Sequence, residues 1–530
     1  MAGRASVWFT VHLLAIPCLL VSLIIPVILS CSNRNRIENY LYYRLNANPS
    51  TLDPAHIVDV TGGLIAAKLF NGLVRLDGHL GIIPDIASHW NVSKDGLTYT
   101  FFLKRGVRFS NGREVRARDF KYSFMRVLDS KTHSPVSWVL EKIKGAGAFM
   151  EERATYLEGI RIRDDYCLEI SLSRPFSPFL SLLTMTAAYV VPEEEVGKWG
   201  TDFSFHPVGT GPFSIGAWLP NRELRFERRE DYFDKKARVK GIIYRVIPED
   251  LATMTEFEIG NLDEITIPAS GISRYRNDAR WRDLTFTLKG INTYYIGMNC
   301  SRPPFDNPEI RRAMNMAIDR EKILATFYEK RGRLAAGPVP DELRRWHIGP
   351  AYEYNPEKAR EIVAREGLRA AAVRFYVTAD QEVVDMAEII QSYLEKAGLR
   401  VTITQLEWSA YKEAINRGEP DMFWLSWWAD YPDPEDFLFP LFHSSNIGPA
   451  GNRARYRNQE VDRLIELGQA SMDEKTAASN YGMAERLIIH DAPWVFFWHK
   501  TDFILRQPWV IKGEVYPIYS MDKGTEVSLK

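Results

Sequence analysis

The chain has 530 residues and sets 67 Lys+Arg against 68 Asp+Glu, a formal net charge of -1, so no global field draws it to a polyanion or a cationic partner, and nucleic acid is not expected as a ligand. Its 45% hydrophobic and 25% charged residues, with 34 Gly and 29 Pro, exclude a disordered, collagen-like or small disulfide-stapled protein. At about 100–200 residues per domain, the length predicts three or four structural units. Aromatic residues reach 12%, with 14 Trp, which suits a surface that recognises ligands between rings.

In chain order, residues 1–30 come first. One charge at Arg4 precedes an apolar run from Val7 to Leu29 and then Ser30-Cys31 with polar residues beyond, the layout of an export signal. Ser30-Cys31 resembles the lipobox of bacterial lipoproteins, which would make Cys31 a lipidated N-terminus. A run that exceeds the roughly 20 residues needed to span a bilayer is also compatible with an uncleaved anchor. Either way the body lies outside the cytoplasm. Of the remaining cysteines, Cys167 and Cys300 match no zinc spacing and read as buried thiols, although an exported location would permit a disulfide.

Tyr40 to Leu45 reads as a strand, and Tyr99-Thr100-Phe101-Phe102-Leu103, bounded by Asp95-Gly96 and Lys104-Arg105-Gly106, as part of a hairpin-rich sheet. A helix capped by Asp119 follows, with Phe120, Phe124 and Val127 at helical spacing. Pro207 to Phe213 is a structural turn and no phosphate cradle, because no Gly-Lys-Ser/Thr follows and Pro212 removes an N–H. Strand residues Tyr294 to Ile296 lead into Pro303 to Pro308, a break that reads as a domain boundary. Beyond it helices at Glu309–Tyr328, Pro356–Glu366, Val383–Ala397, Glu460–Ala470 and Ala477–His490 alternate with strands Arg374–Val377 and Val401–Leu406, an α/β pattern. Trp494 to Trp498 reads as a strand that crosses back out of this region.

Ten histidines stand singly, with no HExxH and no Gly-x-Ser-x-Gly, so neither a metal site nor an enzyme is expected, and no cofactor. The richest segment is Met422 to Pro434, a strand with three tryptophans ending in an acidic, proline-punctuated turn. Two readings stand side by side. In one the tryptophans fill a core, Asp433 caps a helix beginning near Glu435, and Asp430 is solvated. In the other, Asp430 at the end of an aromatic strand pairs with a ligand ammonium in a partly desolvated cleft.

Several of these segments, with others between them, resemble in order the oligopeptide- and dipeptide-binding solute-binding proteins of bacterial ABC importers, solute-binding protein family 5. The carriers are Leu52-Asp53-Pro54, Phe70 to Val74, Pro84 to Ala87 with Trp90, Asp95 to Phe101, Phe109 to Gly112 with Ala117 to Phe120, Gly209 to Phe213, Asp231 to Phe233, Gly260 to Asp263, Pro303 to Phe305 with Ile310 to Ala313, and Trp428 to Pro434.

The resemblance implies an α/β two-lobed periplasmic-binding-protein fold of type II, in the large three-domain peptide-binder subclass, with hinge strands and a cleft between the lobes. After a signal peptide at 1–30, lobe 1 would take 31–60, 190–285 and 500–530, an inserted domain 61–189, and lobe 2 286–499. It implies a short peptide held as an added strand between Ser426–Trp428 and Val58-Asp59-Val60, with Asp430 on its α-ammonium. Trp408, Trp427, Trp428, Tyr294, Tyr295, Trp138 and Trp498 would form side-chain pockets. ABC permease and ATPase subunits would be partners, Cys31 a lipid anchor, and the protein a monomer.

Trp424 occupies the register where the oligopeptide-binding branch carries a positive residue for the ligand carboxylate. The same fold elsewhere serves nickel chelates, opines and sugars, and a surface adhesin or signalling receptor is a further alternative.

Overall fold

A computed structural model describes residues 36–350, 352–511 and 515–530. The export segment and Cys31 lie outside the described residues. The largest sheet has twelve strands, in the order Arg400–Leu406, Ala372–Thr378, Met422–Trp428, Asn292–Met298, Trp494–Arg506, Glu264–Thr266, Tyr40–Leu45, Gly241–Val246, Glu223–Arg228 and Phe213–Leu219, with Thr285–Lys289 and Gly332–Leu334 also on Trp494–Arg506. A separate antiparallel sheet joins Ala87–Val92, Thr98–Leu103, Cys167–Ser171 and Ile160–Asp164.

One strand makes the large sheet continuous. Trp494–Arg506 is 13 residues long and almost wholly buried, with the apolar runs Trp494–Trp498 and Phe503–Leu505 on either side of the polar segment His499–Asp502. Its first part pairs with Asn292–Met298, Tyr294 lying opposite Trp498. Its later part pairs with Thr285–Lys289, Lys289 opposite Thr501, and with Glu264–Thr266. The crossing strand read at Trp494 to Trp498 thus extends to Arg506.

Apolar clusters set the layers. The four-stranded sheet packs Phe101 and Leu168 against Phe120 and Phe124 of the helix Ala117–Leu128. That helix begins ahead of the expected cap: Asp119 sits in its first turn, where Oδ2 accepts from the Arg116 N–H at 2.8 Å. Strands Ala372–Thr378 and Met422–Trp428 carry a cluster on each face, one built with Ile390 of helix Gln381–Lys396, the other with Phe437 of helix Glu435–Phe442. Burial on both faces explains the unbroken apolar start Met422 to Leu425.

Two local readings change. The segment expected as one helix over Glu309–Tyr328 is two, Pro308–Ala317 and Arg320–Thr326, because Asp319 caps the second by accepting from the Lys322 N–H at 2.9 Å. The proline break at 303–308 turns the chain inside one core, since Met298 before it and Ile310 after it share a cluster.

The turn at 209–212 is structural, as expected. Gly209 and Gly211 lie against the end of helix Val60–Leu69, where a Cβ on Gly209 would fall 2.2 Å from the Leu69 carbonyl oxygen. Cys167 and Cys300 are free thiols, and burial pushes Cys300 up to about 11, which leaves it a poor nucleophile at neutral pH.

Candidate functional site

The strand Met422–Trp428 is unequally paired along its two edges. Asn292–Met298 pairs with all of it, whereas Ala372–Thr378 reaches only Met422 and Phe423. The Tyr411 hydroxyl, from helix Trp408–Arg417, donates to the Trp424 carbonyl and closes that point. Because main-chain groups alternate between the two edges of a strand, the N–H and C=O of Ser426 and Trp428 project from the same edge as those of Trp424. Beyond Phe423 that edge has no strand partner among the described residues.

Asp430 follows immediately. It is half-buried, and its N–H donates to Asp436 Oδ2 at 3.0 Å, an oxygen that also faces Trp427 Nε1 at 3.4 Å. Its own carboxylate accepts no hydrogen bond and joins no ion pair among the described residues; burial alone raises its pKa, to about 6. Asp436 is pushed well above the carboxylate range by burial and then by Asp430. Asp433 accepts from the Glu435 N–H at 2.9 Å but stands one residue ahead of the N-cap of the helix Glu435–Phe442, which is Pro434 and not the expected Asp433, and burial pushes it up to about 7. Glu435, also raised by burial, receives the Tyr431 hydroxyl and Gln469 Nε2. The turn therefore holds four carboxyl groups with raised pKa values; among the described residues Arg345 acts on Asp433 and Lys142 and Arg174 act on Glu435, but no cation pairs with Asp430. A bound ammonium would supply the missing charge.

The aromatic residues divide by face. Trp424, Ser426 and Trp428 share a face with Tyr294, whose ring lies 6.5 Å from Trp428 and 6.1 Å from Trp424. Lys500 Nζ stands 5.9 Å from the Trp428 ring and 3.0 Å from Asp502 Oδ1. Trp427 turns to the opposite face, toward Asp436. Trp428 and Trp408 keep 41% and 54% of their surface exposed, which leaves ring area for a ligand. Trp138 is half-buried, 6.3 Å from Tyr431, so the turn carrying Asp430 packs against the unit built on the four-stranded sheet.

Other expected pocket residues are core. Tyr295 is fully buried and stacks on Trp494 at 3.3 Å, and Trp498 is fully buried against Tyr328 at 4.6 Å. Their side chains face helices packed on the sheet and present no open surface.

The segment Val58-Asp59-Val60 is not a strand. Asp59 caps the helix Val60–Leu69, its Oδ1 accepting from the Gly62 N–H at 2.8 Å and its Oδ2 from the Ser50 hydroxyl, so its carboxylate is occupied. The backbone at Asp59 is nonetheless extended, and Val58 and Val60 are exposed.

Asp436, Tyr411 and Lys500 were not picked out from sequence. Asp436 lies within the acidic turn-to-helix run that holds Asp430 and Asp433, a visible signal. Tyr411 and Lys500 had none, because their roles depend on where a helix and a crossing strand meet the open edge.

Residues 81–449 match the family described as bacterial extracellular solute-binding proteins, family 5 Middle. The chain is 29% identical over 517 residues to heme-binding protein A of Haemophilus influenzae, covering 93% of this chain and 92% of that one. It is 25% identical over 487 residues to the dipeptide-binding protein of Escherichia coli, covering 87% and 90%.

Among solved structures, HbpA2 from Haemophilus parasuis superposes with a TM-score of 0.79 at 26% identity, covering 93% of this chain and 100% of that one. The unliganded open form of the murein tripeptide-binding protein MppA gives 0.79 at 23%, covering 93% and 98%, a likeness of fold. The fold is the α/β, two-lobed type II periplasmic-binding fold expected from the sequence. With its family match spanning most of the chain, the protein belongs to the bacterial extracellular solute-binding proteins of family 5.

Proposed function

We propose that the protein is an extracytoplasmic receptor that captures short peptides and delivers them to an ABC permease and its ATPase. The observation that carries this reading is the open strand edge at Ser426 and Trp428 ending beside the unpartnered Asp430 carboxylate. An extended peptide laid along that edge exchanges main-chain hydrogen bonds with any sequence, and its α-ammonium meets Asp430.

The edge is short. Asp430 bounds it at one end and Tyr411, on the Trp424 carbonyl, at the other. At about 3.3 Å per residue this track suits two or three ligand residues. Relatives named dipeptide-binding and di/tripeptide-binding proteins support the same size. Val58 and Val60, exposed on either side of the extended Asp59, are proposed to close on the peptide from the other lobe. In this reading the lobes are 31–60, 190–285 and 500–530 against 286–499, with 61–189 inserted, and they move about the crossings at Lys289–Asn292 and Trp498–Thr501. Export by residues 1–30 and lipidation of Cys31 would tether the receptor outside the cytoplasm.

Titration calorimetry with Ala-Ala-Ala and with its N-acetyl form tests the reading. Binding of the free amine and loss of affinity on acetylation are expected. Equal affinity for both would remove Asp430 from recognition. Binding of neither, with a relative's ligand such as heme bound instead, would replace peptides as the cargo.

A further inference from the structure

A cavity of about 330 Å³ lies where the two parts of the large sheet meet. One wall comes from the sheet face carrying Tyr294 and Trp424, another from Val383 and Met386 of the helix Gln381–Lys396, and a third from Ile267 and Phe503 across the junction. Three ion pairs stand in the lining: Lys500–Asp502 at 3.0 Å, Arg44–Asp250 at 2.9 Å, and Arg331–Glu382. Each cation already has its anion, so the lining carries no net charge and its recognition surface is mainly rings and aliphatic chains.

Strand alternation puts the sheet wall of this cavity and the side chain of Ser426 on the same face. Tyr294 is directly opposite Ser426, and Trp424 is two residues along on the same face. A ligand strand on the other side of Ser426 sends the side chain opposite Ser426 to that face as well. With the first residue opposite Trp428 and its ammonium on Asp430, the residue opposite Ser426 is the third. The second turns toward the face of Trp427.

We infer that this cavity is a specificity pocket for the third side chain of the bound peptide, and that it selects a large aromatic side chain over a small or charged one. This rests on the peptide reading above. A charged side chain would have to pull Lys500, Arg331 or Arg44 from its partner, which costs the pair it breaks. A ring displaces water from aromatic walls at no such cost. Because Ile267 and Phe503 lie on one side of the junction and Val383 on the other, the ring also bridges the two parts of the sheet.

The test is calorimetry with Ala-Ala-Ala, Ala-Ala-Trp, Ala-Ala-Asp and Ala-Trp-Ala on wild type and on Val383→Trp, which fills the cavity from a half-buried position on the helix wall; Met386→Phe fills it from the same helix and serves if the first variant does not fold. Burial of a ring predicts Ala-Ala-Trp to bind about ten-fold or more tighter than Ala-Ala-Ala. Filling the cavity should abolish that gain, so that Ala-Ala-Trp binds either variant no tighter than Ala-Ala-Ala does. If Ala-Ala-Ala binds but a third-position ring gains nothing, or the gain survives both filled variants, the pocket assignment is wrong and the peptide reading stands. If no peptide binds, both fall.

Discussion

Replacing Asp430 with Ala isolates the charge interaction on which peptide capture rests. The carboxylate is half-buried, has no competing cation among the described residues, and lies in a turn whose other carboxyls are all raised in pKa. Removing one partner of a buried charge pair costs about 2–5 kcal/mol. Partial exposure of Asp430 places the expected loss in the lower half of that range, about 2–3 kcal/mol, or roughly thirty- to 150-fold in Kd for Ala-Ala-Ala. The assay is titration calorimetry at pH 7.5, with the N-acetyl peptide as the internal control: the variant should lose affinity for the free amine and leave the acetylated ligand unchanged or slightly improved. Asp430→Asn keeps the shape and should fall nearly as far. An Asp430→Ala protein that binds Ala-Ala-Ala as wild type does would refute the assignment of the ammonium to this carboxylate.

Three further outcomes follow from the same geometry. Asp430 must ionise to hold an ammonium, and its pKa in the empty site is raised to about 6; affinity should therefore fall about ten-fold per pH unit below that value, hold between about 6 and 8, and decline again as the peptide amine deprotonates, a profile that a flat pH–Kd curve would contradict. Asp433 has a folded pKa raised to about 7 against about 3.9 unfolded, so the folded state holds the extra proton and the residue costs stability progressively from about pH 4 to 7 and fully above. Asp433→Asn should thus raise Tm more at pH 8 than at pH 4.5, and equal shifts would show that burial of this carboxyl carries no cost. Gly209→Ala drives a Cβ to 2.2 Å from the Leu69 oxygen and should lower stability by about 1–3 kcal/mol in thermal denaturation, whereas Gly147→Ala, with open space around it, should be neutral or slightly stabilising.

Much of the fold was legible because its signals are local. The strand around Tyr99 to Leu103, the tryptophan strand and most of the helices after the proline break follow from apolar periodicity and turn residues. Asp430 was legible as a carboxylate at the end of an aromatic strand, though its two readings could not be separated without knowing whether the strand edge beside it was paired.

What stayed hidden depends on contacts distant in sequence. Tyr295 and Trp498 carry the same aromatic signature as Trp428, and only packing from Trp494 and Tyr328 makes them core. Asp59 as a ligand-facing residue is what the family resemblance implies, and nothing local in the sequence marks it as a helix cap until Gly62 is seen to donate to it. The break at Pro303–Pro308 resembled a boundary because prolines mark changes of direction, whether or not a new core begins. The passage from one part of the sheet to the other occurs instead near Gly290, where the strands Thr285–Lys289 and Asn292–Met298 follow each other along Trp494–Arg506.

The most direct test of capture along the open edge is to denature the purified soluble body and identify by mass spectrometry what it releases. Release of mixed-sequence peptides, dominated by two and three residues with free N-termini, is the expected result. Peptides much longer than three residues would contradict the limit at Tyr411, and a single non-peptide compound in stoichiometric amount would contradict backbone recognition itself.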